Sequence, residues 1–281
     1  MTGPSTGAAL VVEALVQAGV PHLFSLSGNQ ILSIYDATIA GGPAIVHTRH
    51  EAAAVHMADA WGRLTGQPGV ALVTAGPGHL NAVSALYGAL MAESPMVLLS
   101  GHAPLGQIGR GAFQEVDQVA AARPVTKAAW VARSGATLGA DIATALAVAV
   151  SGRPGPVHVS LPGDLLEARV DAPKPAASAP SAVAPLSRSE IEEILEALGA
   201  ARRPLILLGP AMARPPRRAS ADALASVTGI PALPMESPRG VNDPWLHAGV
   251  GALAEADVVL LLGKRLDFSL RFGEPPAFAP G

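Results

Sequence analysis

Glu51 stands in the run His47-Thr48-Arg49-His50-Glu51-Ala52-Ala53-Ala54, where a short apolar strand (Ala44-Ile45-Val46) hands over to an Ala-rich helix. A carboxylate at such a junction has two uses. It can stabilise the first helical turn through the helix dipole, or it can share a proton with a bound group. A second junction runs Val70-Ala71-Leu72-Val73-Thr74-Ala75-Gly76-Pro77-Gly78-His79-Leu80-Asn81. Its glycines would let backbone approach a bound group closely, and the Asn81 amide could donate to it. A Gly-Pro-Gly run taken alone is a common turn. Two further polar segments are Ser27-Gly28-Asn29-Gln30 and Gly111-Ala112-Phe113-Gln114-Glu115. Asn29 and Gln30 either face a bound molecule or form a turn and a helix start. The eight histidines show no metal-ligand spacing, since His47 and His50 fall at a strand end rather than on one helix face. There is no Ser/His/Asp arrangement, no Walker loop and no Gly-x-Gly-x-x-Gly after a strand.

These residues need elements to hold them. Hydrophobic periodicity and end signals predict helices over 6–18, 30–39, 51–65, 81–91 and 137–150. Strands are expected at 22–27, 44–47, 70–74, 96–100 and 157–161. The run 70–74 is apolar throughout, as in a strand buried on both faces. Alternation of this kind predicts a parallel sheet with helices on both sides. Residues 171–187, including Ala172-Pro173-Lys174-Pro175-Ala176, form a Pro/Ala-rich stretch unsuited to helix or central strand and read as a linker. A second α/β pattern follows, with helices at 189–198 and 218–227 and strands at 205–208, near 230 and at 257–262.

Composition excludes several classes. The chain is 49% apolar and 15% charged over 281 residues, which argues against disorder and allows two domains. A net charge of −3 gives no case for nucleic acid or an anionic membrane surface. Cysteine is absent, so disulfides and thiolate metal sites are excluded. With no membrane-length apolar run and no signal-peptide pattern, a cytoplasmic protein is expected.

In order and spacing the quoted segments resemble the pyrimidine-binding domain of thiamine-diphosphate (ThDP) enzymes, most of all the acetolactate synthase and 2-hydroxyacyl-CoA lyase branch. The resemblance implies an α/β fold: a doubly wound parallel-sheet pyrimidine-binding domain over 1–170, the linker 171–187, and a truncated Rossmann-like central domain over 188–281. It implies that Glu51 is catalytic and contacts the ring nitrogen of the cofactor's aminopyrimidine. Ser27, Gly28, Thr74, Pro77, Gly78 and Asn81 would join it in binding ThDP. Asn29, Gln30, Phe113, Gln114 and Lys127 would shape the substrate site. Acetolactate synthases usually carry Pro-Gly-Gly-Ala where this chain has Ser27-Gly28-Asn29-Gln30, so two amides replace small residues there.

The family's Mg²⁺ and diphosphate are held by a Gly-Asp-Gly motif and a downstream Asn in a third domain. Gly163-Asp164-Leu165 lacks the second glycine and is not that motif. The chain is therefore expected to be inactive without a C-terminal half and to hold no metal itself. The segment Phe268-Ser269-Leu270-Arg271-Phe272-Gly273 is more similar to 2-hydroxyacyl-CoA lyases and oxalyl-CoA decarboxylases. Central domains of the family bind FAD, ADP, CoA or nothing, and Arg214, Arg217 and Arg218 either meet a phosphate or form a solvated basic loop. The resemblance implies decarboxylation of a 2-oxo acid with carboligation, or chemistry on an acyl-CoA, in a homodimer or tetramer. A non-catalytic assembly module of the same fold is the alternative from another class.

Overall fold

The computed structural model describes residues 5–171 and 185–280. The chain divides into two compact units, Met1–Ala182 and Val183–Gly281. Most of the expected linker, 172–184, lies outside the described residues.

In the first unit the strands are β1 (Ser5–Thr6), β2 (His22–Ser25), β3 (Ala44–His47), β4 (Gly69–Val73), β5 (Met96–His102), β6 (Ala128–Val131), β7 (Pro156–Pro162) and β8 (Arg169–Val170). The helices are α1 (Gly7–Gln17), α2 (Leu32–Thr38), α3 (Glu51–Thr65), α4 (Pro77–Met91), α5 (Gln118–Ala122), α6 (Leu138–Val150) and α7 (Gly163–Glu167). Six strands form one sheet in the order β3-β2-β4-β5-β7-β6, and every pair in it is parallel. β1 and β8 pair separately and antiparallel.

The period-two alternation of each strand sends its side chains to two cores. Val70 and Leu72 of β4, with Val97 and Leu99 of β5, pack under α1, α2 and α6. Ala71 and Val73, with Met96 and Leu98, pack under α3 and α4. Both faces are covered, which explains why these strands read as unbroken apolar runs.

Close backbone approach seats α3. A Cβ on Gly62 would lie 2.3 Å from Pro95 O, and one on Gly69 would lie 2.0 Å from Ala58 O. The second half of the helix thus lies directly on the amino ends of β4 and β5. Gly66 closes it in the left-handed conformation, φ 72°.

The strand order reverses beside β2: β3 lies on one side of it and β4 on the other. In open α/β sheets ligands bind outside the carboxyl ends of strands at such a switch point. Gly28 follows β2, Glu51 follows β3 and Thr74 follows β4, so all three fall at that edge.

The second unit contains β9 (Pro204–Leu208), β10 (Ala232–Pro234) and β11 (Val258–Leu262), with α8 (Arg188–Ala200), α9 (Arg218–Thr228) and α10 (Ala248–Glu255). Its parallel sheet runs β10-β9-β11. Ile206 and Leu208 pack on the α8–α9 side, and Leu205 and Leu207 on the α10 side. α8 opens with a reciprocal capping box between Ser187 and Glu190.

Several expected boundaries move. The helix expected from Asn81 begins at Pro77, because proline suits the first helical position, where no N–H is needed. The segment expected as helix from Gln30 opens with a 3₁₀ turn, Asn29–Ile31. β6 is a half-exposed edge strand whose Ala-Ala-Trp-Val sequence carries little strand signal. Among the described residues no helix is long and apolar enough to cross a membrane.

Candidate active site

Glu51 is the first residue of α3 and is 8% exposed. His50 caps the helix, its Nδ1 accepting from the Ala52 N–H at 3.1 Å. The dipole reading of Glu51 is therefore satisfied, but its side chain also does something more. Asn81 Nδ2 donates to Glu51 Oε2 at 3.0 Å, from 30 residues away. Among the described residues Oε1 has no hydrogen-bond partner. It faces Gly78, where a Cβ would come within 3.4 Å.

Gly78 in turn lies on Thr74: a Cβ there would be 2.7 Å from Thr74 Cγ2. Gly28 also approaches Thr74, its Cβ position 2.4 Å from Thr74 Cβ. Thr74 Oγ1 donates to Gln30 Oε1 at 2.5 Å, and Gln30 packs on Gly101 at the end of β5, where a Cβ would meet its side chain at 2.6 Å. Gly28, Gln30, Glu51, Thr74, Gly78 and Asn81 therefore form one contiguous constellation at the carboxyl edge of the sheet. Pro77 sits on its rim as the start of α4. Ser27 and Asn29 are exposed beside it.

Gly76 has φ 56° and ψ −112°, a conformation that favours glycine. Gln114 leans on it, and a Cβ on Gly76 would be 2.5 Å from Gln114 O. Gln114 is itself left-handed, φ 57°, which is uncommon for a residue with a side chain and is the kind of strain that functional loops hold. Glu115 closes this loop by accepting from the N–H groups of Gly109 and Ala112. The hydrogen bond from Gly109, then that from Ala112, hold its carboxyl below the usual range. Phe113, at the loop's tip, is 71% exposed.

Lys127 is not brought to this constellation. It precedes β6 and is level with Pro156, Met96 and Gly69, the starts of β7, β5 and β4. Thr74 lies five positions further along the strand direction, about 16 Å at the usual rise per residue. The Lys127 ammonium donates instead to Val148 O at 2.5 Å and Ser151 O at 2.7 Å, at the end of α6.

Sequence reasoning missed Gln118, which is 1% exposed. Its Oε1 accepts from Gly76 N–H at 3.1 Å, and its Nε2 donates to Gly101 O at 3.1 Å and Ser160 Oγ at 2.9 Å. Below it lies His79, fully buried, with Nε2 3.0 Å from Gln118 O and Nδ1 2.9 Å from Ser100 Oγ. A carbonyl can only accept, so Nε2 carries the proton. Burial pushes the His79 pKa down to about 4. In the second unit Arg214 pairs with Glu236 at 2.8 Å and Arg218 with Asp222 at 2.6 Å, so both guanidinium groups already have carboxylate partners.

The residues present fit the aminopyrimidine half of ThDP. A buried carboxylate keeps one oxygen uncommitted, and Gly78 leaves no side chain beside that oxygen, while Gly28 lets the chain pack closely on the neighbouring Thr74. Among the described residues no cluster of His, Cys, Asp or Glu is placed to hold a metal.

Comparison with known proteins agrees with this geometry. Residues 5–121 match the family described as thiamine pyrophosphate enzyme, N-terminal TPP binding domain. The chain is 34% identical to a 2-hydroxyacyl-CoA lyase of Oryza sativa subsp. japonica over 290 residues, covering 97% of this chain and 50% of that protein. It is 35% identical to the acetolactate synthase isozyme 3 large subunit of Escherichia coli (strain K12) over 280 residues, covering 93% of this chain and 49% of that protein. A 2-hydroxyacyl-CoA lyase of Arabidopsis thaliana is 33% identical over 98% of this chain and 50% of its own length. The chain thus spans about half the length of the curated relatives it matches. Residues 5–121 thus match the N-terminal TPP binding domain of thiamine pyrophosphate enzymes, and the chain as a whole is similar to acetolactate synthases and 2-hydroxyacyl-CoA lyases.

Proposed function

We propose that residues 5–171 bind the aminopyrimidine of ThDP and that Glu51 is the catalytic carboxylate. Glu51 carries this reading, being buried, held at Oε2 by Asn81 and uncommitted at Oε1. Through Oε1 it would share a proton with a ring nitrogen. Asn81 fixes which oxygen is presented, while Gly28, Thr74 and Gly78 give the ring a flat wall. When bound, the cofactor supplies the electron sink beside a carbonyl carbon. Gln30 and the Phe113–Gln114 loop stand next to that wall and would meet the substrate.

For the whole protein we propose acetolactate-synthase-like chemistry on a 2-oxo acid, with Mg²⁺ and the diphosphate held outside this chain and self-association into a dimer or tetramer. A second reading, cleavage or decarboxylation of an acyl-CoA, draws support from two features. Gln30 places an amide where acetolactate synthases usually have a small residue. The segment 268–273 is similar to that of the CoA enzymes. Pyruvate and a 2-hydroxyacyl-CoA, offered to the protein from the complete reading frame, decide between these.

Exchange of the cofactor's thiazolium C2 proton, followed by NMR, tests Glu51 directly. Glu51→Gln should slow it by roughly 10²- to 10⁴-fold, the usual contribution of a positioned acid–base group, with ThDP affinity changed only a few-fold. Unaltered exchange in that variant would remove Glu51 from the mechanism.

A further inference from the structure

The uncharged side chain of Gln118 ties together the ends of three strands. Its acceptor takes the Gly76 N–H beyond β4, and its two donor directions reach Gly101 O on β5 and Ser160 Oγ on β7. Chemistry fixes this orientation, since an N–H only donates and a carbonyl only accepts. The main chain of Gln118 adds a fourth tie, its carbonyl accepting from His79 on α4. Asp117 caps α5 by accepting from the Ala120 N–H at 2.9 Å, so Gln118 stands at a fixed helix start.

Gly76 is the hinge of the site. Its unusual φ and ψ set where α4 begins, and hence where Gly78 and Asn81 meet the two oxygens of Glu51. Gln114, four residues before Gln118, rests on the same glycine.

We propose that Gln118 is a positioning residue that holds the Gly76 peptide, and through it registers the Gly78–Asn81 turn and the Phe113–Gln114 loop against Glu51. This rests on the reading of Glu51 given above. Gln118 touches neither cofactor nor substrate; it acts by keeping the turn in one conformation.

Two variants and two measurements test it. Gln118→Met keeps the volume and removes all three side-chain hydrogen bonds. Gln118→Glu, when protonated, restores an acceptor for Gly76 and a donor for Gly101. The first measurement needs no cofactor: amide hydrogen exchange of residues 75–82 in the ligand-free protein. Gln118→Met should speed exchange there by about 10-fold or more while α1 and β2 stay as in wild type. The second is C2-proton exchange in the ThDP-loaded protein of the complete reading frame, expected to fall about 10- to 100-fold, as for a displacement on the scale of an ångström. Gln118→Glu should recover towards wild type at low pH and lose ground as its carboxyl ionises.

Wild-type behaviour of Gln118→Met in segment 75–82 overturns the proposal, whatever the state of the Glu51 assignment. If Glu51→Gln is silent but segment 75–82 still loosens, the Glu51 reading falls alone and Gln118 remains the turn's anchor. Should Gln118→Met fail to fold, Gln118→Glu decides by the same readouts. Failure of both to fold assigns Gln118 to sheet stability and overturns the proposal.

Discussion

Gly78 is a tight point of the constellation, and its missing side chain can be tested without touching any polar group. A Cβ there would meet Thr74 Cγ2 at 2.7 Å, and Thr74 is pinned by its bond to Gln30 and by close contact with Gly28. Gly78→Ala should therefore cost about 1–3 kcal/mol of overpacking and weaken ThDP binding by about 10-fold or more. Gly88→Ala on the same helix is the comparator, because nothing lies within 4 Å of that Cβ position. It should gain about 0.5–1 kcal/mol from helix propensity and leave binding alone. Calorimetric titration and thermal melts of both variants check the contrast; equal effects would show that the wall beside Glu51 is not tight. Glu51 and Gly76–Asn81 stood out in the sequence because each is local, a junction or a turn, and only the family resemblance gave them a role. Gln118 did not. Its side-chain partners lie 17 and 42 positions away, and a glutamine at a helix start looks ordinary until the sheet brings three strand ends together.

At the scale of elements, topology accounts for where Lys127 lies. Its place before β6 puts it at the amino ends of parallel strands, whereas Glu51, Gly28 and Thr74 follow the carboxyl ends. There it binds carbonyls at the end of α6, as a cation at a helix C-terminus should. Lys127→Met keeps the stem that packs on Gly155 and removes the charge. It should cost about 1.5–3 kcal/mol, in the range of hydrogen bonds to charged groups, with no change in ThDP affinity or in substrate KM. A KM raised about 10-fold at unchanged melting temperature would return Lys127 to the substrate site. The elements best read from sequence were those with strong periodicity and clear ends: β3 at Ala44–His47 and α3 at Glu51–Thr65 have the expected limits. Polar or small residues hid the others. β5 continues through Gly101 and His102 because both are fully inside the sheet, and the first turn of α4 was masked by Pro and Gly, which read as loop.

For the first unit as a whole, buried histidines link stability to pH. His79, His102 and His158 are all nearly inaccessible, and burial is the main cause pushing each pKa down, His79 to about 4. His79 and His158 lie with ring centroids 4.5 Å apart, so charging one also opposes charging the other. The folded state thus prefers these rings neutral, whereas the unfolded chain protonates them near pH 6.5. Between those values the unfolded state binds more protons, so stability rises with pH. The contribution is complete above about pH 6.5 and is lost as pH falls towards 4. A depression from 6.5 to about 4 for His79 corresponds to about 3 kcal/mol, a large share of a typical domain's stability. Because the chain folds as two units, a single global melt would mix them. Native-state amide exchange of β5 and β7 reports the unit that carries the histidines. Its opening free energy should fall by a few kcal/mol from pH 7 to pH 4.5, and His79→Gln, which keeps a donor but cannot titrate, should flatten the slope by about one proton. An unchanged slope in that variant would mean that His79 is not held neutral, and that the network beneath Gly76 is organised by a different protonation state.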